Sequence, residues 1–144
     1  MGNMFNELIQ ITDWATDDVS GTGDDFTFTP AFPCDVWGYV AVVSTKIEGS
    51  AAGAAPVIKV DKRPTAGSDT GRGDGDVVAA ATLPLNTAAG KGIYKILSTP
   101  VALNIGEQAV VEVTTAATGV VYHSLLIRRK IEDYKAATGG VAAT

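Results

Sequence analysis

The sequence predicts an all-β chain: an antiparallel β-sandwich, jelly-roll-like, of seven to eight strands, with an extended N-terminal arm. Three observations point there. Apolar residues make up 46% of the 144 residues, yet Ala, Val, Gly and Thr dominate while Leu is sparse. Val and Thr are stiff at χ1 and suit pleated strands, and the 16 glycines supply tight turns. Period-2 apolar runs alternate with turn signals at intervals of roughly 8–15 residues, the spacing of a sandwich. One domain is expected, since a chain of this length buries about two-thirds of its unfolded surface.

Residues 1–24 read as an arm distinct from the body. Phe5, Leu8 and Ile9 could share one side of a short helix, while Ile9 and Ile11 could alternate in a strand, so the local structure stays open. Leu8, Ile11 and Trp14 predict that the arm packs on something. From Asp25 the pattern is β: Phe26 and Phe28 alternate with Thr27 and Thr29 until Pro30 and Pro33 interrupt. Cys34 to Ile47 is the longest apolar stretch. One face would carry Val36, Gly38, Val40 and Val42, the other Trp37, Tyr39, Ala41 and Val43. A strand of a two-layer sandwich has one wet face. Apolar residues on both faces therefore predict extra cover, from the arm or from a neighbouring copy of the chain.

After a Gly/Ala loop, Pro56 to Lys62 reads as a strand, and residues 63–76 as a long Gly/Asp loop. Further strands are expected at Asp76–Leu83, Gly92–Leu97, Thr99–Ile105, Ala109–Thr115 and Val120–Arg129, with a tight turn at Gly106-Glu107. The body thus spans 25–130, and 131–144 reads as a loose tail. No fixed-period repeat appears, which argues against a solenoid or propeller.

Net charge is −5, unevenly placed. Residues 1–45 hold Glu7, Asp13, Asp17, Asp18, Asp24, Asp25 and Asp35 and no Lys or Arg. An acidic front on a near-neutral body argues against nucleic-acid binding, which requires a basic patch. It suits an arm that docks on a basic surface. No run approaches the ~20 apolar residues of a membrane span. Neither a signal-peptide pattern nor a myristoylation motif is present at the start, so synthesis in a cytoplasm is expected. The single Cys34 reads as a small buried apolar residue.

No constellation calls for an enzyme, a cofactor or a metal. Asp69, Asp74 and Asp76 lie among glycines, but the Gly and Glu positions of an EF-hand do not follow. Arg72-Gly73-Asp74 spells an integrin-type tripeptide, which three residues cannot support alone. His123 stands between Tyr122 and Ser124, and strand neighbours point to opposite faces, so Ser124 cannot form a nucleophile–base pair with it. Motifs of the trimeric dUTP diphosphatases, jelly rolls of similar length, are missing.

The stretch Val57-Ile-Lys-Val-Asp-Lys-Arg-Pro-Thr-Ala-Gly-Ser-Asp-Thr-Gly-Arg-Gly-Asp-Gly-Asp resembles small structural proteins of tailed bacteriophages, and so does Leu103-Asn-Ile-Gly-Glu-Gln-Ala-Val-Val-Glu-Val-Thr-Thr-Ala-Ala-Thr-Gly. The class is that of capsid decoration (cement) proteins and related virion β-sandwiches, and the likeness lies within residues 57–127. It implies a homo-oligomer, often a trimer, bound to the major capsid protein on the outside of a head, with an N-terminal arm tying it down. Read from the residues themselves, the arm, the doubly apolar strand and the basic run at 128–130 put the expected partner-facing residues among Leu8, Ile11, Trp14, Trp37, Tyr39, Arg128 and Arg129. Alternatives are a tail or head-fibre component, or a carbohydrate-binding module with Trp14 as an exposed platform.

Overall fold

The computed structural model describes residues 10–12, 15–63 and 76–130. All regular elements among them are strands: β1 (Gln10–Ile11), β2 (Ala15–Asp18), β3 (Gly23–Phe28), β4 (Cys34–Glu48), β5 (Val57–Arg63), β6 (Asp76–Thr82), β7 (Gly92–Leu103), β8 (Gln108–Thr115) and β9 (Thr118–Arg129). Every pairing is antiparallel. Sheet A has five strands in the order β1-β9-β4-β7, with β2 following β1 along the same edge of β9. Sheet B has four, in the order β3-β8-β5-β6.

The sheets share one apolar cluster, which makes the architecture sandwich-like. Sheet A contributes Val36, Tyr39, Ala41, Val43, Val121 and Leu125, and sheet B contributes Ile58, Val60, Val78, Val111 and Val113. A fully buried aliphatic side chain contributes about 1.5–3 kcal/mol and an exposed ion pair about 0–1 kcal/mol, so this Val/Ile core dominates stability.

Three features depart from the sequence reading. Gly92–Leu103 is one strand, whereas two were expected around Pro100. β7 pairs only with β4, and its register jumps from Ile96 to Val101 across the bulge, so the proline falls on an edge strand outside the ladder. The described part of residues 1–24 is joined to the body: Gln10 and Ile11 pair with Ile127 and Leu126, Ala15–Asp18 pair with His123–Val120, and Val19 is fully buried in the core. Finally, β4 changes phase. A bulge between Val36 and Gly38 places Val36 on the core side together with Tyr39, Ala41 and Val43, and leaves Gly38, Val40 and Val42 on the outer side. Gly38 is required there because a Cβ would overlap the Lys95 carbonyl oxygen of β7.

The Gly106-Glu107 turn forms as expected. Glu107 N–H donates to the Asn104 carbonyl (3.1 Å), and the Glu107 carboxylate accepts from Asn104 N–H (2.8 Å). The Asp69 and Arg72-Gly73-Asp74 readings and the tail 131–144 lie outside the described residues.

Candidate functional site

Directly opposed residues of antiparallel strands share a face. On the outer face of sheet A, Val40 of β4 lies between Tyr94 of β7 and Ser124 of β9. One step along, Val42 lies beside Tyr122, and in the other direction Gly38 lies between Ile96 and Leu126. These residues form a continuous apolar surface across three strands, and it is open: Tyr94 is 74% exposed, Ile96 52%, Tyr122 39% and Val42 36%. Val40 and Leu126 are half-buried. The Trp37–Val43 side expected to need a partner is instead the core side from Tyr39 onward. The side left for a partner is that of Gly38, Val40 and Val42.

The relief of this face is uneven. Tyr94 and Ile96 project from β7 as a ridge. Beside them Gly38 has no side chain, so the surface dips between Ile96 and Leu126, while Ser124 is covered by Thr12. The charged end of the face is internally paired. Lys130 Nζ is 3.1 Å from Asp35, and the Arg128 guanidinium lies 5.8 Å from the Trp37 ring centroid.

The outer side of sheet B has the opposite character. Arg63 donates two 2.8 Å hydrogen bonds to Asp24. Lys59 meets Asp61 at 2.9 Å and Glu112 at 3.8 Å. The Asp24 hydrogen bonds hold the Arg63 guanidinium even more firmly in its charged form than usual.

Of the residues expected to face a partner, Leu8 and Trp14 lie outside the described residues, and Ile11 is placed by its pairing with Leu126. Trp37 and Arg128 are half-buried at the charged end of the face, and Arg129 lies 5.7 Å from the Phe32 ring. Tyr39 is a core residue, fully buried, with its hydroxyl 2.6 Å from His123 Nδ1. Sequence reasoning missed Tyr94, Ile96 and Tyr122. The signal was available in Ile93-Tyr-Lys-Ile-Leu, which is apolar at both phases of the strand period: Ile93 and Leu97 pack on the core while Tyr94 and Ile96 face out.

His123 faces the core and Ser124 the outer side, where it bonds Thr12. Cys34 is buried, and burial, reinforced by Asp35, pushes its thiol from 9.0 up to about 12, far from a reactive thiolate. Among the described residues, no three His, Cys, Asp or Glu side chains converge on a metal position. Comparison with family models, curated proteins and solved structures gives no match.

Proposed function

We propose that this chain is a structural component of a phage particle: a decoration protein that binds the outside of the head and stabilises it by bridging subunits of the major capsid protein. The observation that carries the reading is the open apolar face of sheet A. The largest contiguous apolar patch on a protein is often functional. That face calls for assembly, and the likeness of residues 57–76 and 103–119 to virion proteins supplies the setting, an oligomer, often a trimer, on a capsid.

The strand order supports a jelly-roll reading. β2-β9-β4-β7 faces β3-β8-β5-β6, and from β2 onward only the β5–β6 connection stays within one sheet. A cement protein needs a rigid body and an adhesive surface, with no reactive group. Binding only the assembled shell stabilises it by mass action, and many weak sites on one shell add avidity. The described residues 10–12 and 15–18 run along β9, so a head-binding arm would comprise the residues ahead of them.

The test is addition of the purified chain to heads lacking it. Saturable binding to assembled heads, with no binding to unassembled capsid subunits, is expected. Absence of binding overturns the role.

A carbohydrate-binding reading has one observation behind it: Tyr94 and Tyr122 are both exposed on a single sheet face. Sugar sites pair such rings with polar groups that hold hydroxyls. Here the rings are flanked by Val42, Ile96 and Leu126, and Ser124 is buried and already bonded to Thr12. A glycan array that binds the chain, with loss on Tyr94→Ala, would favour this second reading.

A further inference from the structure

We infer that the outer face of sheet A is the contact between copies of this chain, with Tyr94 as its anchor, and that head binding uses other surfaces. The inference deepens the assembly reading above and rests on it for the existence of an oligomer.

The first argument is area. At their observed exposures, Tyr94, Ile96, Tyr122 and Val42 leave on the order of 400 Å² open in one patch. A standard protein–protein contact takes about 800 Å² from each partner. The patch is therefore about half a protomer's share, and the partly exposed Val40, Leu126 and Trp37 around it supply more. That area matches the largest apolar patch of a typical monomer, a patch that is often functional, and with its half-buried surround it approaches one partner's share of a contact.

The second argument is chemistry. No charged side chain lies within the Val42–Tyr122, Tyr94–Val40–Ser124 and Ile96–Gly38–Leu126 rows. The nearest charges along β9 and β4, those of Arg128, Asp35 and Lys130, are engaged within the chain. Permanent contacts between identical subunits have this apolar centre with charge depleted, and aromatic residues serve as anchors. The ridge of Tyr94 and Ile96 and the dip at Gly38 lie side by side on one face, so a single copy carries both a projection and a recess.

The third argument fixes the mode of contact. β7 ends its sheet, and an open edge invites strand addition. This edge is blunted three ways. Lys95 is opposed to Tyr39, which places an exposed charge on the core side of an edge strand. Pro100 lacks an N–H, and the register jump between Ile96 and Val101 breaks the strand's straight run. Face packing remains open to a second copy, whereas edge pairing is obstructed.

The experiment is native mass spectrometry with light scattering on the full chain, comparing the parent with Tyr94→Ser and Val42→Lys. Both positions are exposed, so circular dichroism should be unchanged, and melting should lose only the concentration-dependent part that association adds to the parent. The expected result is an oligomer at micromolar concentration and a shift to single-chain mass in both variants. A parent that is a strict monomer overturns the inference, as does an oligomer indifferent to both substitutions. A second measurement needs no variant: tetranitromethane nitration of the parent, mapped by mass. Tyr94 should be nitrated several-fold more slowly at high than at low protein concentration, and equal rates overturn the contact. The decoration role fails separately: a chain that oligomerises through this face and ignores heads sinks that role and leaves the contact standing.

Discussion

The Tyr39 hydroxyl and His123 Nδ1 lie 2.6 Å apart inside the core, fastening β4 to β9, and neither side chain is exposed. The rings are tilted by 46° with centroids 5.6 Å apart, so they also pack. Tyr39→Phe removes the hydroxyl and its buried hydrogen bond to the ring nitrogen, a loss of about 1–3 kcal/mol. His123→Phe should also destabilise, and the double variant should fall short of the summed losses by about 0.5 kcal/mol or more. Denaturant midpoints of the four proteins check this. Strict additivity would show that the contact contributes nothing.

Gly38 predicts a second loss. A methyl group there meets the Lys95 carbonyl oxygen, a backbone atom fixed by the β4–β7 ladder. Gly38→Ala should destabilise by about 1–3 kcal/mol, as overpacking does elsewhere. Hydrogen exchange should quicken first in Gly92–Ile96, on the strand that must move. Uniform quickening across both sheets would place the strain elsewhere.

Much of the fold was legible because alternation and turn chemistry are local. Asp25–Phe28, Pro56–Lys62, Ala109–Thr115 and Val120–Arg129 read correctly as strands from Thr, Val and Ile spacing and from Gly/Pro breaks. The phase of β4 was not legible. Nothing in Val36-Trp-Gly-Tyr announces a bulge, and the close approach of the Lys95 carbonyl that Gly38 permits comes from a strand far away in sequence. That single extra residue exchanges which half of an apolar strand faces the core. The candidate site followed the same logic. An apolar strand with both faces apolar was visible, but Tyr94 and Ile96 became part of its open face only through the β4–β7 register.

Cys34 gives a pH-dependent prediction. Its thiol is held protonated up to about 12 in the folded chain, against 9.0 when solvated. The folded state therefore binds more protons than the unfolded state between those values. Its contribution to stability is complete below about pH 9 and is lost as pH rises toward 12. Cys34→Val should remove that part of the alkaline slope, seen as a flatter midpoint-versus-pH curve than the parent's. Ellman's reagent at pH 8 should label the folded parent slowly and the denatured chain at once. Rapid labelling of the folded chain would contradict the burial.

Arg63 and Asp24 tie β5 to β3 on the outer side of sheet B. Arg63 is only 6% exposed, with Asp61 a further 3.8 Å contact. Asp24→Asn keeps the shape and removes the acceptor charge from a shielded guanidinium. Because the Asp24 side chain is 43% exposed, solvent screens part of the pair, and the expected loss is about 1–2 kcal/mol. Molar salt should erode the parent's advantage over Asp24→Asn. A difference that is indifferent to salt would assign the loss to packing.

Thr12 and Ser124 hold the segment between β1 and β2 onto β9. Ser124 Oγ donates to the Thr12 carbonyl (2.8 Å), Leu125 N–H donates to Thr12 Oγ1 (3.0 Å), and Thr12 N–H donates to the Leu125 carbonyl (3.0 Å). Ser124 is fully buried under this cover. Ser124→Ala removes only the hydroxyl, so the core packing of His123 and Leu125 stays, while the tether loses the bonds of that hydroxyl to the Thr12 carbonyl and Oγ1. Amide exchange at Ala15–Asp18 should then rise about tenfold, the effect of roughly 1.4 kcal/mol of local opening, with β4 amides unchanged. The outcome distinguishes two kinds of edge. If β2 frays alone, the N-terminal segment is a separately stabilised strap, and it can be loosened without loss of the body. If β4 and β9 lose protection with it, the strap is a structural member of sheet A, and the sheet face carrying Tyr94 and Tyr122 depends on it.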